Sequence, residues 1–233
     1  VPGGRPASGV VRPASWEAFE EAARTYEAWY ATPRGQRVAA AERSLLEWLL
    51  APFPREVRTL EVGCGTGAFT GWLAARGARV VGLDRAPAML AALRRGRPRL
   101  PVVLADAHQL PFHAAEFDVV VFVATLEFLE RPGEALTEAV RVAGQALVLI
   151  VLNRWSLGGL SRRWGPLARR PLLGTAHDYA VPELVTLLRQ AARGRLARLR
   201  WTSALFPDGL WRVRAPVPLG DVLGVVGVLR SRP

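Results

Sequence analysis

Leu60-Glu-Val-Gly-Cys-Gly-Thr-Gly67 is the stretch that decides how this chain is read. Residues from about Arg58 to Val62 predict a buried strand that runs straight into a turn with glycine at 63, 65 and 67. A helix is predicted from about Ala68, with Phe69, Trp72 and Leu73 at helical spacing. Glycines let the backbone turn sharply and approach a ligand closely. The free N–H groups of the helix start then face that ligand. A strand, a glycine turn and a helix in this order make a nucleotide cradle.

Two ligand classes use such a cradle. Gly63, Gly65 and Ala68 fit the dinucleotide fingerprint, and Asp84 follows about 20 residues on, where a ribose reader belongs. Glu61 separates the classes. A carboxylate two positions before the first glycine repels a pyrophosphate, but it suits a phosphate-free nucleoside that carries an ammonium and a sulfonium. Cys64 is the only cysteine, so an internal disulfide is excluded and a reducing cytoplasm is expected. Its expected role is a small residue in the glycine turn.

Outward from this motif the chain alternates strand and helix, the pattern of parallel βαβ units. Arg79–Leu83 is predicted as the second strand, with Asp84 just past its carboxyl end, and Pro87 opens the next helix. Val102–Leu104 is the third, followed by Ala105-Asp106-Ala107-His108. Phe117–Val123 is the fourth, apolar after its first acid and so buried on both faces. A helix after Pro132, a fifth strand over Gln145–Leu152, a helix from Val181 and last strands at Leu196–Thr202 and Val222–Leu229 complete the pattern. Glu61, Asp84 and Asp106 thus stand at the tips of strands one, two and three. Asp84 is placed to accept two ribose hydroxyls and Asp106 the exocyclic amine of adenine, with the Ala107 N–H toward a ring nitrogen. Met89 is read either as a core residue or as a cover for the adenine face.

Before the motif, Trp16–Tyr30 predicts a helix entered at Ser15, and a second is expected from about Val38 to Leu50 after the break Pro33-Arg-Gly35. Tyr26 and Tyr30 either pack these helices on the core or cap the ligand near its charged end. The first 14 residues are expected to be a frayed tail, without a secretory apolar region. The remainder, 15–233, is expected to be one domain with a helical cap over 15–54.

The net charge is +11, and every basic residue is arginine. Either an anionic partner such as RNA or a membrane surface explains this, or an arginine-rich solvated surface does. The longest apolar runs are far short of a membrane span.

L-E-V-G-C-G-T-G, V-V-G-L-D-R-A-P-A-M-L, A-D-A-H-Q-L-P-F, F-D-V-V-V-F and the region of Arg141 together resemble the class I S-adenosylmethionine-dependent methyltransferases, in the broad type-11, small-molecule group. The likeness runs from about Tyr26 to the end. It implies an α/β, Rossmann-like sheet of order 3-2-1-4-5-7-6 with strand 7 antiparallel and helices on both faces. It also implies S-adenosylmethionine as cofactor and S-adenosylhomocysteine as product. By this resemblance Glu61, Gly63, Cys64, Gly65, Asp84, Asp106 and Ala124 hold the cofactor, and Arg85, Met89 and Ala107 surround adenine; no metal is implied. Two departures stand out: Glu127 where relatives often have histidine, and Ala143-Gly-Gln in place of a longer turn before the fifth strand.

Methyl transfer needs attacking atom, methyl carbon and sulfur in line, so positioning supplies much of the rate. A base is needed only if the nucleophile must lose a proton. Glu127, His177 and Tyr179 are the candidates near the expected acceptor mouth. Asn153–Ala180 reads as a substrate-lid insertion in which Trp155, Leu157, Leu160, Trp164, Leu167, Leu172 and Leu173 interleave with arginines. Such a segment covers a lipophilic small-molecule acceptor or makes weak contact with an anionic membrane surface. Trp201, Phe206 and Trp211 are expected to line the same cavity. Nucleic acid is disfavoured as acceptor, because Ala124-Thr-Leu-Glu127 replaces the base-gripping Asn/Asp-Pro-Pro-aromatic motif. The alternatives left open are an RNA or protein methyltransferase, a non-catalytic cofactor-binding protein and an NAD-dependent dehydrogenase.

Overall fold

The computed structural model describes residues 16–164, 175–205 and 214–231. The expected tail and its Ser15 cap, and Leu167, Leu172, Leu173, Phe206 and Trp211, lie outside the described residues. Seven strands form one sheet: β1 (Arg58–Val62), β2 (Arg79–Asp84), β3 (Val102–Leu104), β4 (Phe117–Val123), β5 (Ala143–Leu152), β6 (Leu196–Ala204) and β7 (Val222–Leu229). Their order is β3-β2-β1-β4-β5-β7-β6. Neighbours from β3 to β5 run parallel, while β7 is antiparallel to both β5 and β6. This is the order and direction that the family resemblance implies.

Alternation along β4 shows why its run is wholly apolar. Val120 and Phe122 pack with Leu136, Ala139 and Leu184 from helices α5 (Pro132–Val142) and α7 (Val181–Ala192). Val119, Val121 and Val123 face the other way, toward Leu45, Leu46, Phe69 and Leu73 from α2 (Pro33–Leu50) and α3 (Ala68–Ala75). Both faces of a parallel strand are covered, so neither position set can be polar.

Several boundaries differ from the expected ones: β2 takes in Asp84, β6 runs on to Ala204, and two others shift for local reasons. Pro33-Arg-Gly35 does not separate the first helix, α1 (Trp16–Ala31), from a later one; it opens α2. Pro33 lacks an N–H where the first helical turn needs none, and the Thr32 hydroxyl accepts the Gly35 N–H at 3.0 Å. Gly35 is required by closeness, since a Cβ there would strike the Trp29 carbonyl of α1. Strand β5 also begins two residues early, at Ala143, which pairs with Phe117 directly after α5.

The remaining described helices are α4 (Pro87–Gly96) and α6 (Leu157–Trp164). Among the described residues no helix is long and apolar enough to cross a membrane. Helix α1 is fastened to α4 by an exchange of caps. Ala86, at the start of α4, has no side chain able to cap it, and the Glu20 carboxylate of α1 accepts the Ala88 N–H at 2.9 Å instead. That bond lays α1 across the carboxyl edge of the sheet.

Candidate functional site

The glycine turn is pinned to the neighbouring strand. Gly63 and Cys64 both donate their N–H groups to the Leu83 carbonyl of β2, at 2.7 and 2.9 Å. The three glycines have φ of +73°, +52° and +82°, a region that side chains disfavour. They differ in what surrounds them. A Cβ on Gly63 would collide with Thr125 and one on Gly67 with Leu93, whereas a Cβ on Gly65 would meet only Tyr26 and Met89, at 3.9 and 4.0 Å. Gly65 therefore opens onto space, and that space is a cleft.

The cleft has about 820 Å³ of empty volume, counting its open mouth, and sits over the tips of β1 to β4. Gly63, Gly65, Asp84, Arg85, Met89, Asp106, Ala107 and Ala124 all line it. Trp16, Phe19 and Tyr26 of α1 roof it, and Phe19 meets Phe128 edge to face at 4.9 Å across the mouth. Met89 satisfies both readings: it is 1 % exposed, yet it forms part of the wall.

The acids are not equivalent. Asp84 uses one oxygen to accept the Gly65 N–H at 2.8 Å and the other to accept the Ala86 N–H at 2.9 Å. Burial raises its pKa, against the pull of those backbone donors. Asp106 takes the His108 N–H at 2.9 Å and the His108 ring at 2.6 Å, with the Arg85 guanidinium 3.1 Å away. Burial works to raise this carboxyl, but His108 and Arg85 outweigh it and hold the pKa below its usual value. Arg85 in turn sits 5.6 Å from the Trp16 ring centre, within cation–π range. The loop bearing Asp106 is anchored by Arg141, which donates to the Leu110 and Phe112 carbonyls at 2.8 and 2.7 Å.

Glu61 and Cys64 sit behind the turn, outside the cleft lining. The Thr70 hydroxyl donates to Glu61 at 2.5 Å, and burial pushes the Glu61 pKa up to about 8. Cys64 packs against Gly82, Leu90 and Leu93, and burial raises its thiol pKa.

A methyltransferase-domain family model matches residues 60–149, the span from β1 into β5 that carries every one of these acids. The chain is 34% identical over 151 residues to the biotin biosynthesis bifunctional protein BioHC of Cellvibrio japonicus, covering 64% of this chain and 29% of that longer protein. It is 28% identical over 194 residues to a malonyl-[acyl-carrier protein] O-methyltransferase of Enterobacter lignolyticus, covering 82% and 76%. A solved SAM-dependent methyltransferase of Thermotoga maritima, described as a possible histamine N-methyltransferase, has the same fold with a TM-score of 0.76 and 24% identity, covering 93% of this chain and all of that one. This chain carries a methyltransferase domain and has the fold of the class I S-adenosylmethionine-dependent methyltransferases.

The methyltransferase's cleft fits that cofactor on two observations. Gly65 leaves room where any side chain would intrude, and the cleft carries carboxylates at two adjacent strand tips. Asp84 would hold the ribose and Asp106 with Ala107 the adenine.

Glu127, His177 and Tyr179 do not line this cleft. Glu127 is fully buried in the 3-10 turn Leu126–Phe128, where it accepts the Leu152 N–H at 2.6 Å. The His177 ring contacts Glu183 at 2.7 Å, and the His177 backbone N–H donates to the Glu127 carbonyl at 2.9 Å. Tyr179 donates its hydroxyl to the Leu126 carbonyl at 3.1 Å. The three come together, but as a brace that ties the turn after β4 to the segment before α7.

Sequence reasoning did not pick out Trp16, Phe19, Thr125, Phe128 or His108 as lining residues. Only His108 left a legible signal, standing two residues after Asp106. The methyltransferase's glycines give a paired expectation. Gly63→Ala should lower stability by about 1–3 kcal/mol through its collision with Thr125 and its positive φ. Gly65→Ala should cost only about 1 kcal/mol, yet lose S-adenosylhomocysteine binding because its methyl enters the cleft. Melting curves and calorimetry on both variants check the contrast.

Proposed function

We propose that this methyltransferase acts on a small, lipophilic acceptor held beneath the segment 153–180, in the cytoplasm, within one domain spanning 15–233 and capped by residues 15–54. The observation that carries this reading is the stretch from Trp155 through α6: Trp155, Leu157, Leu160 and Trp164 stay exposed, Trp164 at 73 %, just after the carboxyl end of β5 on the edge of the sheet that holds the cleft. Apolar side chains left in water at the mouth of a site suit a greasy ligand.

When bound, S-adenosylmethionine supplies an electrophilic methyl group. The chain's part is to bind and align: Asp84 and Asp106 fix the nucleoside end, and Phe19 and Phe128 narrow the mouth against water. The buried Arg162–Asp178 pair, 2.7 Å apart, holds α6 against the segment before α7.

Labelled S-adenosylmethionine with a panel of apolar and polar metabolites tests the proposal. Methyl incorporation into apolar members supports it, and labelling of polar members alone counts against it. The +11 charge favours a second reading, in which the acceptor is borne on an acidic protein or an RNA; relatives named malonyl-[acyl-carrier protein] O-methyltransferases lend it weight. Activity on a carrier-bound thioester that falls steeply with salt would select that reading.

A further inference from the structure

Two buried carboxylates each keep an oxygen without a partner. Glu42, on α2, is 3 % exposed, and its Oε2 has no hydrogen-bond partner. Glu127 is fully buried; its Oε1 accepts the Leu152 N–H, and its Oε2 likewise has no partner. Neither forms an ion pair among the described residues. A buried carboxylate without hydrogen bonds or a counter-charge is costly, and a nearby second one raises that cost.

They belong to one place. Glu42 lies one turn before Leu45, whose side chain packs on Gly224 of β7, and Gly224 pairs with Ile150 near the carboxyl end of β5. Glu127 is held to Leu152 at that same strand end. Burial first, and then the Glu127 charge, raise the Glu42 pKa to about 8. Two phenols lie near Glu42, and one of them, Tyr26, lines the cofactor cleft. Tyr26 reaches Gly65 and meets the Tyr30 ring edge to face at 5.6 Å, and the Glu42 charge is felt at both.

The charged neighbours are few. Arg43 and Arg162 partly offset Glu42 and Glu127 respectively, but Arg162 is already paired with Asp178. Asp178 and Asp84 add negative charge around the group. Aromatic rings beside unpaired carboxylates are the surroundings in which an organic ammonium is stabilised.

We propose that Glu42 and Glu127, with Tyr26 and Tyr30, form a subsite for a protonated amine on the methyl acceptor. The inference rests on the small-acceptor reading above and narrows it to lipophilic amines. It runs against a carboxylate acceptor such as a malonyl group, which these two acids would repel. The cofactor's own ammonium is the other source of the same chemistry, but neither acid lines the cofactor cleft.

The test uses the full chain saturated with S-adenosylhomocysteine and three probes of similar size: 2-phenylethylamine, 2-phenylethanol and 3-phenylpropanoate. The amine should raise the melting temperature and bind at least about tenfold more tightly than the alcohol or the acid. Its binding heat at pH 7 should vary with the buffer's ionisation heat, because protons held by the two acids are released. Glu42→Gln and Glu127→Gln should each weaken amine binding about tenfold or more, with S-adenosylhomocysteine affinity changed by less than about threefold. Equal binding of all three probes, no binding of the amine, or unaltered amine binding in both variants overturns the proposal. An equal loss of S-adenosylhomocysteine affinity in both variants also overturns it, assigning the cation to the cofactor. Failure of the parent chain to bind S-adenosylhomocysteine would instead sink the methyl-transfer reading itself.

Discussion

Asp84→Ala is expected to weaken S-adenosylhomocysteine binding about tenfold or more, through two losses. The first is direct. Each oxygen already accepts one backbone N–H, from Gly65 or Ala86, and retains acceptor capacity for the ribose hydroxyls of the cofactor. Hydrogen bonds to an ionised group are worth about 1.5–3 kcal/mol each, so losing one accounts for the tenfold and losing two exceeds it. The second loss is of preorganisation. Without the carboxylate the Gly65 N–H has no partner, and the turn whose conformation needs φ of +52° at that residue loses one of its clasps to β2, keeping those of Gly63 and Cys64 on the Leu83 carbonyl. Asp84→Asn offers no rescue, because one of its two amide ends must present N–H groups to a backbone N–H. Calorimetry with both variants checks this, and parent-like affinity in Asp84→Ala would remove Asp84 from the ribose site.

What could be read from the sequence divides by the range of the interaction. The strands and the glycine turn were legible because their signals are local: apolar runs, glycines at fixed spacing, and acids at the ends of successive strands; the order of the strands came only with the family resemblance those motifs carry. Helix α1 was expected within a cap, but the residues Trp16 and Phe19 by which it roofs the cleft were not picked out. Its position depends on Glu20 capping a helix 68 residues away in sequence, and its lining residues Trp16 and Phe19 look like any apolar face. Glu127 shows the same limit at shorter range. Its place after β4 was evident, but the 3-10 turn sends its carboxylate to the Leu152 N–H, away from the cleft. Glu42 was invisible, since Ala41-Glu-Arg-Ser44 reads as a polar helix face. Only the packing of α2 across β5 and β7 buries it.

That burial makes the ligand-free protein sensitive to alkali, and Glu42→Gln is expected to reduce the sensitivity. In the folded chain burial holds Glu42 and Glu61 at about 8 and Glu127 at about 7, against an ordinary glutamate value of 4.5. The folded state therefore keeps protons that the unfolded chain releases between about pH 4.5 and pH 8. The stability these protonated acids contribute is intact below that window and is lost as pH climbs through it. Asp106, Asp118 and Glu138 act in the opposite sense, since their pKa values are lowered and their contribution disappears in acid. Unfolding free energy should thus peak in mildly acid solution and decline toward pH 9. A tenfold difference in proton affinity between the folded and unfolded chain corresponds to about 1.4 kcal/mol. Allowing for relaxation and for a glutamine amide left partly unsatisfied, Glu42→Gln should gain about 2–4 kcal/mol over the parent at pH 9 and little at pH 5. Urea unfolding at these two pH values measures the difference directly. A surface acid replaced by glutamine would leave the two pH profiles parallel, and parallel profiles here would mean that Glu42 reaches water in the folded protein.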